Sequence, residues 1–193
     1  SNSFFLADVK FTSKFLEGTK GFDAILPEAA ECRMAGFFAE PELTSNTKLL
    51  VVHGGADDYT VAKHCEEYAK KIKAKPGQVK IDIKEGWFHE WHSGGKPKKI
   101  KMAMTLHECP AITVDNEGNT TGVMADLVVN KYKIFPSMEA AMKASEDEPS
   151  KTFKKMFGIF KKEKCLERGV TIGGKHMDEY MPQFINFFKE NLL

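Results

Sequence analysis

Lys48-Leu49-Leu50-Val51-Val52-His53-Gly54-Gly55-Ala56-Asp57-Asp58-Tyr59-Thr60 decides the fold of this chain. After Lys48 the run is continuously apolar to Val52, as a strand buried on both faces of a parallel sheet should be. It leads straight into a polar glycine turn, His53 to Asp58. Beyond the turn, Val61, Cys65, Tyr68, Ala69 and Ile72 recur at three- and four-residue steps, which predicts a helix over 60–74. Lys75-Pro76-Gly77 stops that helix. Gln78 to Ile83 alternates as V-x-I-x-I and predicts a strand. Glu85-Gly86 ends it, and Trp87 to His92 forms an aromatic, histidine-rich loop. Strand, turn, helix, strand, loop is a βαβ unit, so the fold class is α/β with a mostly parallel sheet and flanking helices.

The flanks are read more coarsely. Residues 3–16 carry a helical pattern ending near Gly18, and Gly21 to Leu26 reads as a short strand before Pro27. Residues 27–47 read as a loop with a helical patch. The stretch 93–130 is irregular, with a strand expected at Ala111 to Val114 and a turn at Asp115-Asn116-Glu117-Gly118. Residues 137–168 read as helical, interrupted at Glu148-Pro149. A last helix runs from about Asp178 to Leu193, with Met181, Phe184, Ile185, Phe187, Phe188 and Leu192 on its apolar face.

The chain has 193 residues, 42% hydrophobic and 28% charged. That composition fits one globular domain and speaks against disorder. Twenty-eight basic and 27 acidic residues leave a formal charge of +1. No whole-molecule field therefore draws it to nucleic acid, and no apolar run approaches the ~20 residues of a membrane span. Residues 151–164 hold six lysines and one glutamate, with Phe153, Met156, Phe157 and Phe160 at helical spacing. A cover helix with a solvated basic side is the expectation there, ahead of a membrane or nucleic-acid face.

Chemistry-bearing residues cluster in the two loops of the βαβ unit. Asp57 follows one strand and His89 follows the next, and in parallel sheets sites form outside the carboxyl ends of strands. An aspartate that orients a histidine base is two thirds of a nucleophile-His-Asp triad. Asp58 is the rival acid, and His92 and His53 are the rival histidines. Asp58 is expected to cap the helix that starts near Thr60. His64, His107 and His176 have no constellation around them. His89-Glu90-Trp91-His92 is not H-E-x-x-H, and no metal or organic cofactor is implied. Gly54-Gly55 and Gly173-Gly174 match no phosphate-loop pattern and read as turns.

The stretch Leu49 to Thr60, followed by Cys65 and Tyr68, resembles the dienelactone hydrolase family, a branch of the α/β hydrolases. Its pattern is an apolar strand, then H-G-x-x-D-D-Y-T, then a helix with cysteine. Glu85-Gly86-Trp87-Phe88-His89-Glu90-Trp91 is similar to the family's catalytic-histidine landmark. Cys109-Pro110, Asp115 to Gly118 and Cys165 to Gly174 are similar to the tail of one subgroup. The resemblance covers residues 22–92 well and the tail loosely, while 119–164 looks like a longer variable region. It implies one α/β-hydrolase-like domain over 1–193 that cleaves a small-molecule ester or lactone. By the same resemblance Asp57 would be the acid, His89 the base, and Trp87, Phe88 and Trp91 would line an apolar pocket. The alternative is a non-catalytic hydrolase-like module that binds a partner through 119–164.

The sequence departs from the family at one point: it has no G-x-[SC]-x-G elbow. The expectation is that the chain is the carboxyl-terminal part of such a domain, with the nucleophile upstream of Ser1. The opening Ser1-Asn2-Ser3, lacking a methionine and a basic region, then reads as an artificial or processed end. A sheet with a raw edge would also pair with a second copy unless the upstream segment covers it.

Cys32, Cys65, Cys109 and Cys165 form no CxxC pair, and spacing alone favours four buried thiols over disulfides. The family-like layout implies instead the pairs Cys32–Cys65 and Cys109–Cys165. Such pairs would place the protein in an oxidising compartment, the periplasm or outside the cell, and their absence would return it to the cytoplasm.

Overall fold

The computed structural model describes residues 22–28, 31–35, 41–44, 46–111, 113–115 and 119–192. The helix expected at 3–16 lies outside them. Strands β1 (Ala24–Ile25), β2 (Lys48–Gly54) and β3 (Val79–Lys84) form a parallel sheet in the order β1-β2-β3. Leu49 lies opposite Val79, and Gly54 opposite Lys84. Helix α1 (Cys32–Ala35) lies between β1 and β2 in the chain, and α2 (Ala62–Lys71) crosses from β2 to β3. The expected βαβ unit is therefore present, and the fold is α/β.

Strand β2 is buried almost end to end because alternate residues feed two cores. Leu49 and Val51 join Ile25, Cys65 and Tyr68 beneath α2. Leu50 and Val52 join Trp87, Trp91 and Tyr180 beneath the last helix, α6 (Met177–Leu192). Period two on a strand with both faces covered gives an unbroken apolar run. Tyr180 also donates its hydroxyl proton to Glu28 near the end of β1, and burial pushes its phenol far up from its ordinary value.

After the loop bearing His89, the chain makes a long excursion before reaching α6. Strand β4 (Lys98–Thr105) pairs antiparallel with β7 (Glu167–Ile172). Between them lie the short pair β5 (Thr113–Val114) and β6 (Thr120–Thr121), then α3 (Gly122–Ala125) and a π-helical stretch, Asp126–Lys131. Helices α4 (Met138–Asp147) and α5 (Pro149–Glu163) follow, broken at Glu148-Pro149 as the sequence predicts. The excursion has its own core around Met124, Leu127, Val128, Ile159 and Phe160.

The antiparallel β4–β7 pair is the element that periodicity misses. Strand β4 reads K-K-I-K-M-A-M-T and is solvent-exposed over most of its length, so it shows no buried face. Its register shifts between Ile100 and Met104, and Met102 in that bulge is 74% exposed. Its partner strand begins at Glu167, far along the chain.

Both disulfides form, Cys32–Cys65 within the core under α2 and Cys109–Cys165 within the excursion core. Their sequence separations are 33 and 56 residues, each worth about 4 kcal/mol in the chain-entropy model. The reading of four free thiols is thus overturned; the residues that meet belong to elements brought together only by folding. Arg33 adds a tie between the two units, donating to the carbonyls of Leu106 and Cys109. Burial pulls the guanidinium down from its ordinary value, with Glu31 and Glu108 opposing that shift.

Because the excursion carries a separate core, replacing Cys109 and Cys165 together by alanine should act locally first. We expect a cost of about 4 kcal/mol in denaturant unfolding. Amide exchange should accelerate across 122–163 while β2 and β3 stay protected. Equal acceleration in β2 and β3 would show instead that the two cores open as one.

Candidate active site

Two loops at the carboxyl ends of β2 and β3 build the site. Asp57 lies three residues past Gly54, the last paired residue of β2. Gly54 has to be glycine: a Cβ there would stand 2.2 Å from the carbonyl oxygen of Trp87. That close approach lets the amide of Ala56 donate to the same carbonyl at 3.0 Å and locks the acid turn against the histidine loop.

The Asp57 carboxylate is buried, at 4% exposure for the residue, and is enclosed by donors. The amides of Tyr59 and Thr60 donate to Oδ1 at 2.9 and 2.8 Å. The Thr60 hydroxyl donates to Oδ2 at 2.9 Å. His89 Nδ1 stands 2.9 Å from that same oxygen. Burial alone would raise the Asp57 carboxyl. The His89 bond and the backbone donors outweigh it and hold the group below its ordinary value, so it is a carboxylate that keeps Nδ1 protonated. Asp57 and His89, 32 residues apart in sequence, are therefore joined as the sequence predicts.

His89 presents its other nitrogen, Nε2, with no hydrogen-bond partner among the described residues. Its ring sits edge-on to Tyr59, with centroids 4.8 Å apart. It helps to line an open cleft of ≈ 400 Å³ with Tyr59, Glu90, Met104, Val170 and Ile172. An imidazole held at Nδ1 by a buried carboxylate, with Nε2 free, can take a proton from a nucleophile and return it to a leaving group.

Two expectations are corrected here. Asp58 does not cap α2. Its carboxylate accepts from the amide and the hydroxyl of Thr171 in β7, while Asp57 satisfies the amides of its own turn. Trp87 and Trp91 are core residues and do not line the cleft beside His89: Trp91 is fully buried and its ring packs on Trp87 at 4.5 Å and on Tyr180 at 4.7 Å. Helix α6 covers the face they occupy. Phe88 is half-buried. The cleft takes its apolar lining from β4 and β7 instead, two strands that local patterning did not reveal.

The rival histidines take other places. His53 is buried, with Nδ1 3.0 Å from the Gly54 carbonyl. His92 packs edge-on to Trp91, and His176 stacks on Trp87 and meets Glu179. His64 pairs with Glu67 and lies within reach of the His107 carbonyl. Among the described residues no group of three or more His, Cys, Asp or Glu is placed to hold a metal ion. Among them, too, no helix is long and apolar enough to cross a membrane.

No family model matches the chain, and neither a curated protein nor a solved structure is significantly similar to it.

Two outcomes follow from this geometry. Gly54→Ala should destabilise by about 3 kcal/mol or more, because a backbone atom and not a flexible side chain blocks the new Cβ; a denaturant midpoint near the wild-type value would contradict the close approach. The depressed Asp57 carboxyl contributes stability that is fully present above the unfolded value, ordinarily 3.8, and is lost as pH falls through the folded value. The stability gap between wild type and Asp57→Asn should therefore be widest near neutral pH and shrink on acidification below about 4. Urea midpoints taken across that range would test it, and a pH-independent gap would count against the buried carboxylate.

Proposed function

We propose that the Asp57–His89 pair is the acid and base of an α/β-hydrolase triad of the dienelactone hydrolase type, cleaving a carboxylic ester or lactone. The observation that carries this reading is the buried Asp57 carboxylate, enclosed by three donors of its own turn and bonded at 2.9 Å to Nδ1 of a histidine whose Nε2 remains open. The sequence contains no elbow motif, so this reading requires a nucleophile supplied from outside the 193 residues. In the first step the nucleophile adds to the carbonyl carbon and its proton passes to His89 Nε2. The same proton then goes to the departing alkoxide, leaving an acyl-enzyme. Water adds next, deprotonated by Nε2, and the acid product leaves as the nucleophile regains its proton. Asp57 stays ionised throughout, in keeping with its depressed carboxyl, and balances the imidazolium.

The two disulfides support maturation in an oxidising compartment, the periplasm or the cell exterior. Among the described residues the parallel sheet has three strands, and on this reading its outer edges would be covered by further chain or by a second copy.

The test is turnover of a p-nitrophenyl ester and of dihydrocoumarin by the chain extended through its upstream coding sequence. Asp57→Asn should lower kcat by about 10⁴-fold with the fold retained, because the amide favours the wrong tautomer. His89→Gln should lower it as much, and both together no further. Near-normal turnover in Asp57→Asn would end the triad reading. An extended chain without an elbow and without turnover would favour the partner-binding alternative.

A further inference from the structure

We propose that Thr171-Ile172-Gly173, where β7 ends, is a strap that sets the Asp57–His89 pair in register, with Thr171 and Asp58 as positioning residues for the base. Its consequence for catalysis rests on the hydrolase reading; its geometry does not. Asp57 and His89 both lie outside the ladder of β2 and β3, whose last paired residues are Gly54 and Lys84. The ladder fixes where the two strands end and the Ala56–Trp87 bond joins the roots of the loops, while the strap contacts both loops further out. The strap touches both loops. Thr171 donates its amide and its hydroxyl to the Asp58 carboxylate, at 2.7 and 3.0 Å across 113 residues of sequence. Two residues on, the Gly173 amide donates to the carbonyl of His89 at 2.7 Å. Ile172, between them, forms a parallel bridge with His89 and lines the same cleft.

Two extended residues rise only about 6.6 Å, so the covalent chain between Thr171 and Gly173 acts as a short rod from the neighbour of the acid to the base itself. Its acid-side anchor is strong for its size. Asp58 meets no cation among the described residues, so its charge is engaged by the two Thr171 donors in charge-assisted bonds. Strand β4 adds a second tie, the Thr105 hydroxyl donating to the Tyr59 carbonyl at 3.0 Å, and the Tyr59 ring rests against His89. The base-side landing needs glycine twice. Gly173 has φ +108°, and a Cβ on Gly174 would lie 2.6 Å from the Trp91 carbonyl oxygen. The Gly173-Gly174 pair, which matches no phosphate loop, thus has a purpose: it lets the returning chain lie flat on the histidine loop.

The experiment reads His89 directly, by nitrogen-15 NMR of its ring in the 193-residue chain, independent of any turnover. Wild type should show Nδ1 protonated and slow to exchange with solvent. Thr171→Val removes the hydroxyl bond while keeping shape, and Asp58→Ala removes both bonds. Each should speed exchange of the Nδ1 proton, Asp58→Ala on the order of tenfold or more, and mix the tautomers. Thr171→Ser should restore the wild-type signature. Tyr132→Phe, which loses a bond to Glu163 inside the excursion, serves as a control that lowers stability without moving the His89 signals. Unchanged His89 signals in Thr171→Val and in a folded Asp58→Ala would overturn the strap, as would an equal change in Tyr132→Phe. If the extended protein shows the wild-type signature and the strap variants lose it, yet no ester is cleaved, the strap stands and the hydrolase reading falls.

Discussion

A carboxylate taken out of water has to be met by donors, and the Asp57 site is organised by that requirement. Its own turn supplies two amides and a hydroxyl, and the next loop supplies an imidazole N–H. The turn can close this tightly only because β2 ends in a glycine that admits the Trp87 carbonyl. The donors in turn fix the state of the group: they outweigh the penalty of burial and keep it charged. A charged, immobile carboxylate then fixes the imidazole tautomer. Loop shape, protonation state and ring orientation are one linked constraint.

The long excursion between the histidine loop and α6 has its own core and its own disulfide and is tied back to the site. Its contacts with the rest of the chain include directional polar ones: Arg33 to two carbonyls, Thr105 to Tyr59, Thr171 to Asp58. Such bonds set position more than they add stability. The excursion also supplies Met104, Val170 and Ile172 to the cleft wall, so its β4–β7 pair shapes the space in front of His89. The bulge that leaves Met102 exposed lies in the same strand as Met104.

Aromatic residues beside a carboxylate-bound histidine invite assignment to a binding pocket, and here the large ones are structural. Trp87 and Trp91 flank His89 in sequence but turn toward α6, where Tyr180 and its neighbours need a partner surface. A loop that must present one side chain to a cleft and bury two others against a helix has little freedom left. That economy also explains why the chain returning from the excursion crosses the loop with glycine and not with a side chain.

What the sequence determined by itself is what depends on near neighbours along the chain. The apolar run at 49–52, the helical period after it and the alternation at 79–83 were enough to place a βαβ unit, and the strand-end rule then put Asp57 and His89 on one rim. The break at Glu148-Pro149 was legible for the same reason, since proline acts on its own turn. Only the tertiary structure decided the rest. Asp58 looked like a helix cap because a cap is the local use of an aspartate there; its actual partner, Thr171, is 113 residues away. Strand β4 carries no period because nearly all of it faces solvent, and only its pairing with β7 makes it a strand. Which cysteines join, which faces the tryptophans turn to, and what holds the Asp57 turn to the His89 loop are all questions of distance in space. Periodicity reports which side of an element is buried, but not what buries it.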